Sequence, residues 1–498
     1  MKFSDKIDDE RIQIENVRSN IKFWQQPLFR QIFVALGPMA LIFSSGMGLG
    51  TATVMVPQIK AINSSIQIDG EMESWFYSGI SFAAIITILT VPYLAQIKGY
   101  KFAFIIISIP MIIACVLQYF ATSAKLLLVA TIIQGLTFGG NTILGIVLVA
   151  EITHPKYRGT FLVIKSATFF WGVWVSNAIG TFSKWRNIPL VCIWPAVFAL
   201  VSCFAWPESP YWLASKGRVD ECKKSFRWLR GQSPNAEKEL SLLVTKKHPS
   251  IKIKNVLSFI KSTIVLPQFY KPMILNIATF FFYSSCGKYV CQTYILVIIK
   301  TITKSDRAAY TGMLIIDGIT VFGMYLGSYV AKKVSRRFMF FSTSGSTIFF
   351  LFALSLYLYL IQFGVINQNN TLSLILLMLY SFSVSWGPML LCTNIFSEIT
   401  PMRFKPFISS VSACFMYTMQ ALFLKLGPWL FKSVGFSGTC AVYGTLSIFP
   451  VLVLFKYLPE TSNRTLRDIE LFFETEKHCD DFLSQQEGEE MLICNGNK

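Results

Sequence analysis

The feature that most constrains this chain is a series of about twelve apolar runs, each long enough to cross a membrane. Their approximate limits are 30–56, 74–96, 101–121, 125–150, 160–182, 188–206, 272–299, 308–331, 338–361, 371–396, 406–431 and 436–457. At 1.5 Å per helical residue each run covers the ~30 Å of a bilayer's hydrocarbon. A soluble core cannot absorb that many. Charged residues make up only 14% of the chain, against about 25% in soluble domains. The expectation is an all-α polytopic membrane protein with twelve transmembrane helices.

The runs group as six, a polar interval, and six. This predicts an N-terminal segment 1–29, a first half 30–206, a central loop 207–271 with short helices, a second half 272–457 and a tail 458–498. The central loop carries Lys223, Lys224, Arg227, Arg230, Lys246 and Lys247. Alternate short loops are basic too: "QIKGYK", "HPKYRG", "KKVSRR" and "RFK". If every run crosses once, all of these share a side, and basic loops stay in the cytoplasm. Both termini then lie there as well. The net charge of +18 is explained this way and does not point to nucleic acid. The opposite loops hold acidic Asp69, Glu71 and Glu73, and sequons at Asn63 and Asn369 expected to carry glycans. Asn463 also heads a sequon, on the cytoplasmic side.

The polar start is no signal peptide, which needs an early apolar stretch. The 11 cysteines suggest neither a disulfide framework nor a metal site. Most, such as Cys115, Cys192, Cys286 and Cys392, fall inside apolar runs. The acidic end "QQEGEEMLICNGNK" is expected to be disordered.

A weak internal repeat links the halves. "EITHPKYRG" follows the fourth run and "EITPMRFKP" the tenth; "AQIKGYKF" follows the second and "AKKVSRRF" the eighth. Two related six-helix halves are the mark of a carrier whose site lies between them near the midplane.

The same residues carry a family pattern. "EITHPKYRG", "PESPYWL" from Pro207, "LPETSNRTLRDIE" from Leu458 and "ESWFYSGISFAA" from Glu73 resemble the motifs of the sugar porter family of the major facilitator superfamily. The likeness runs from about residue 30 to 470 and leans toward insect trehalose and hexose transporter-like proteins. It implies the major facilitator fold and transport of a sugar, of hexose or trehalose type, by facilitated diffusion with alternating access. It also implies an integral protein of the plasma membrane.

The motif charges read as electrostatic gates. Glu151, Glu208, Glu398 and Glu460 lie at cytoplasmic helix ends, near Arg158, Arg336 and Arg337 in sequence. They are expected to latch the two halves together on the inside, at ~1 kcal/mol per half-exposed pair. The loop after the second run departs from the family pattern: Gln96 stands for an acid and Tyr100 for an arginine, which weakens that latch. In "KKVSRR", Ser335 stands for a glycine.

The substrate places depart further. The resemblance puts Ser166, Tyr283, Ser284 and Tyr289 where the family carries amides. Thr320 falls near the asparagine place of the eighth run. Pro388 is kept, Met389 stands for tryptophan and Asn394 for glutamate. Lys288 directly precedes one lost amide, and Lys165 another. Tyr and Ser still offer hydroxyls to a sugar, while the rings suit a flatter or more apolar solute.

Four charged residues stand out within the runs: Lys165, Lys288, Asp317 and Lys425. Charge near a bilayer's centre costs ~2.5–3.5 kcal/mol and faces the bundle interior. Lys288 lies about eleven residues below the outer end of its run and Asp317 about nine, so both are expected roughly 14–17 Å down. That predicts a Lys288–Asp317 pair. The pair could glue helices or draw an anionic or polar solute, and snorkelling is the third reading. The Gly-rich first run, "SSGMGLGTATVMVPQI", lacks the carboxylate of the family's proton-coupled members, which implies facilitated diffusion.

No cofactor, metal or catalytic constellation is expected, and no enzymatic activity. The partners expected are a small solute and the lipid bilayer. Two alternatives to a sugar carrier stay open: a carrier of another small solute, such as an anionic one, and a non-transporting sugar sensor.

Overall fold

The computed structural model describes residues 27–60, 66–245, 266–401, 405–461 and 472–473. Asn63, Lys246, Lys247, Asn463 and almost all of the tail lie outside these residues. The first six spans are single helices: α1 (Pro27–Ile59), α2 (Gly70–Lys98), α3 (Tyr100–Phe120), α4 (Ala124–Ile152), α5 (Pro155–Phe182) and α6 (Asn187–Ala205). Inside a bilayer every backbone N–H and C=O must be satisfied within its own segment, so each apolar run becomes a helix. Three short helices follow: α7 (Pro210–Ser215), α8 (Val219–Arg230) and α9 (Pro234–Thr245). They close over a small core of Leu213, Cys222, Phe226 and Leu240. Gln31 and Arg30 of α1 donate to the carbonyls of Leu229 (3.1 Å) and Trp228 (3.0 Å), which ties this segment to one end of the bundle. That end is called the loop face below, and the opposite end the far face.

The second half is less regular. Its seventh span is three pieces, α10 (Pro267–Ser285), α11 (Lys288–Thr293) and α12 (Ile295–Thr303). Spans eight and nine are α13 (Asp306–Val330) and α14 (Arg336–Gln362). Span ten is α15 (Asn370–Trp386) and α16 (Pro388–Ile399); spans eleven and twelve are α17 (Lys405–Ser433) and α18 (Gly435–Tyr457). Eleven spans among the described residues are long and apolar enough to cross a membrane. The seventh is the twelfth crossing; its first piece, α10, is as long as α6 but less apolar.

Gly287 explains the first break. Its φ of +76° is left-handed, where a β-carbon costs ~1–2 kcal/mol. The helix stops there, and the carbonyl of Cys286 accepts instead from Tyr380 Oη of span ten at 2.6 Å. Span ten breaks before Pro388, which lacks the N–H a continuous helix needs and sits at the first position of α16.

Span one packs on span five and span two on span four; span nine packs on span twelve and span eight on span ten. The halves meet along span two against span eleven, span five against span eight, and span one against the far pieces of span seven.

Candidate functional site

At the loop face the two halves carry the same device. In the first half, the Glu208 carboxylate sits at the start of α3. Its Oε1 accepts from the N–H of Tyr100 (3.0 Å), Lys101 (3.2 Å) and Ser209 (2.9 Å), and its Oε2 accepts from Lys101 again (3.1 Å). A helix start has free N–H groups and a positive dipole end, so it holds an anion. Gly99 makes room: its φ is +100°, and a β-carbon there would lie 2.3 Å from Glu208 Oε2. The hydroxyl of Ser209 then donates to Glu151 at the end of span four. Burial pushes the Glu208 carboxyl above its usual range, against the pull of the three N–H groups and the Lys101 ammonium.

In the second half, Glu460 Oε1 accepts from the N–H of Arg336 (3.0 Å) and Thr461 (3.0 Å), and Oε2 from Arg337 (3.1 Å). The Thr461 hydroxyl donates to Glu398 at 2.6 Å. Even the flanking cations match. Lys101 donates to the carbonyls of Phe204 and Trp206, and Arg337 to that of Phe455.

One difference separates the two. Arg336 lies 3.4 Å from Glu398 as an ion pair, whereas Tyr100 occupies the equivalent place beside Glu151. Among the described residues Arg158 forms no ion pair. The expectation of a latch between halves is therefore corrected: these bonds all stay within one half. The carboxylates spend their lone pairs on helix ends of their own half, where unpaired N–H groups are fixed and close.

At mid-membrane the sequence-predicted residues divide. Tyr283 and Tyr289 are buried and share a hydroxyl bond of 2.8 Å across the Gly287 break. Ser284 and Ser166 bond back to carbonyls of their own helices, Phe280 and Leu162. Met389 and Pro388 are buried at the span-ten break, and Asn394 is half-buried on α16. Lys165 is buried against Gly145, with its ammonium 3.5 Å from the carbonyl of Thr142. Beside it, the Thr142 hydroxyl meets Tyr417 of span eleven at 2.8 Å. This bond joins the halves. Phe138 stacks on Phe169 and meets Tyr417 edge-on, walling the same place with rings.

The predicted Lys288–Asp317 pair does not form. Both are 1% exposed, yet the Lys288 ammonium donates to Thr320 (2.6 Å) and Ser381 (2.7 Å). Asp317 accepts instead from Asn177 of span five at 2.6 Å. The cause is depth. Span seven runs to Thr303, so Lys288 lies ~22 Å below its far end, against ~16 Å for Asp317 below Asp306. The ammonium therefore meets Thr320, nearly one turn beyond the acid. Lys425 is also corrected: it is half-buried, with its ammonium 4.0 Å from the Trp75 ring centroid. That cation–π contact crosses the halves near the far face. Tyr77 and Tyr294 cross there too, with centroids 4.4 Å apart.

The family described as "Sugar (and other) transporter" matches residues 31–473. The chain belongs to the sugar transporter family. This transporter is similar to "Facilitated trehalose transporter Tret1" of Bombyx mori, 24% identical over 90% of this chain and 86% of the relative. The protein of that name from Apis mellifera ligustica is 23% identical over 94% and 92%. That of Aedes aegypti is 22% identical over 90% of this chain, which spans only 55% of it. Among solved structures, XylE, a proton:xylose symporter of the major facilitator superfamily bound to 6-bromo-6-deoxy-D-glucose, superposes with a TM-score of 0.70. It is 17% identical, over 89% of this chain and 98% of that one. An inward-open XylE from E. coli also gives 0.70, at 15% identity over 90% and 100%. Twelve helices in the major facilitator fold follow.

Sequence reasoning missed several of the transporter's polar groups: buried Asn141, Asn177, Ser381 and Tyr417, and half-buried Thr142. The available signal was weak. Each is a neutral polar residue inside an apolar run, and hydropathy does not say which of them meets a partner. Ser209 and Thr461 were legible within their motifs, but their partners were not.

Proposed function

We propose that this transporter carries a sugar of hexose or trehalose type by facilitated diffusion, with halves 30–206 and 272–457 rocking about a central site. What supports the reading most is the mid-membrane meeting of Thr142 and Tyr417 across the halves, flanked by Lys165 and faced by rings. A sugar is bound by many neutral hydrogen bonds and by stacking on rings, and this setting offers both. Span one brings no carboxylate to it, in keeping with facilitated diffusion.

The same reading places the loop face and both termini in the cytoplasm and the protein in the plasma membrane. The far face is then extracellular, and Asn369 there carries a glycan. Its Oδ1 accepts from the N–H of Thr371 and Leu372, and the residue is exposed, which leaves its amide nitrogen turned outward.

Uptake of labelled trehalose and glucose into proteoliposomes tests the function. Saturable entry that stops at the outside concentration, with or without an imposed pH gradient, is expected. Entry of neither sugar, with entry of an organic anion from the same panel, would overturn it. Accumulation above the outside level would overturn facilitated diffusion alone.

A further inference from the structure

We propose that Asn177 and Asp317 are positioning residues for transport: they form the latch that holds the far side shut. The proposal rests on alternating access between the halves. Span five and span eight belong to different halves, and the 2.6 Å bond from Asn177 Nδ2 to Asp317 Oδ2 joins them. One turn away, Trp174 Nε1 donates to the carbonyl of Leu314 at 3.1 Å. Its ring lies over Gly318, where a β-carbon would stand 3.9 Å from the same nitrogen. The two bonds make a short seam that must part if the far side is to open.

A hydrogen bond to an ionised group is among the stronger ones, and its loss inside a low-dielectric seam is costly. Asn177 and Asp317 are also 0% and 1% exposed, so water does not compete for the bond while the seam is shut. The latch is nevertheless poised to release. Among the described residues Asn177 Oδ1 has no hydrogen-bond partner in the closed seam, and opening hydrates it. The closed state therefore holds one strong bond against an unmet acceptor, which narrows the gap between the two states. The Lys288 ammonium is fixed by Thr320 and Ser381. Because Lys288 stays bound within its own half, Asp317 is free to take its partner from the other.

The test measures the seam itself. Spin labels at Lys184 and Arg307, exposed at the far ends of spans five and eight, report their separation in the purified full chain without any sugar. Asn177→Leu is expected to raise the ratio of long to short separations about tenfold. Asp317→Asn, which keeps an amide-to-oxygen bond without charge, is expected to give a smaller rise. The exchange N177D/D317N is expected to restore the parent distribution. In proteoliposomes, Asn177→Leu lowers the half-saturating sugar concentration from the far side and slows turnover, because the far-open form is more populated. Parent-like distances in folded Asn177→Leu, or failure of the exchange to restore them while both single variants shift, would overturn the latch. The distance readout needs no substrate, so a failed sugar assignment leaves it intact and a failed latch leaves the sugar assignment intact.

Discussion

Replacing Glu460 and Glu208 by glutamine probes the twin loop-face clamps, and the two substitutions are not equivalent. Glu460 divides these donors: Arg336 and Thr461 bond Oε1, and Arg337 bonds Oε2. A glutamine keeps one oxygen. Oriented to hold two donors, it turns its NH2 toward the Arg337 N–H and orphans it. An unmet buried N–H costs ~1–3 kcal/mol, and the lost anion at a helix start adds ~0.3–1 kcal/mol. We expect Glu460→Gln to cost ~2–3 kcal/mol. Glu208 differs because its Oε1 already reaches all three donors, the Lys101 N–H being shared between both oxygens. Glu208→Gln keeps every donor on one oxygen and loses mainly charge, at ~1 kcal/mol. The assay is denaturation of the purified protein in mixed micelles, comparing both variants with Glu460→Ala and Glu208→Ala. Equal costs for the two glutamines, or a larger cost at Glu208, would refute the reasoning that lone-pair assignment sets the strength of these clamps.

Four further outcomes follow from the same contacts. Gly99→Ala should lower the thermal midpoint well beyond the ~1 kcal/mol of an ordinary surface change, because its β-carbon meets the fixed Glu208 carboxylate; an unchanged midpoint would count against the clamp geometry. Tyr100→Arg should set a guanidinium beside Glu151 as Arg336 stands beside Glu398, and raise stability by up to ~1 kcal/mol; a clear loss in the same unfolding assay would contradict it. Lys288→Met should shift stability by under ~1 kcal/mol, since Thr320 keeps its bond to the Ile316 carbonyl and Ser381 its contact with Thr320. Thr320→Val should cost ~1–3 kcal/mol by depriving the ammonium of an acceptor, and the reverse order would show that Asp317 needs Lys288 as its counter-charge.

Much of the architecture was legible from hydropathy because lipid imposes a local rule: each crossing must satisfy its own backbone. The runs and the loop-face motifs followed from that rule and from short motifs. Side-chain partners did not follow, because they depend on depth and rotation. An error of four residues at the end of span seven, Ile299 against Thr303, moved Lys288 by about one turn. That was enough to replace Asp317 with Thr320 as its partner. The clamps show the same limit. Glu208 and Glu398 were found from sequence, yet nothing along the chain says that Glu208 faces the start of span three rather than the other half.

The sequence by itself determined that this chain crosses a membrane many times, where its motifs lie, and the family they belong to. Each of these rests on residues near one another in the chain. Only the tertiary structure decided which charges meet. It kept the carboxylate networks inside each half, moved the Lys288 ammonium onto hydroxyls, and brought Asn177 to Asp317 across the seam. The physical reason is that hydropathy sets where a helix lies in a bilayer, while partner choice is set by packing between helices far apart in the chain.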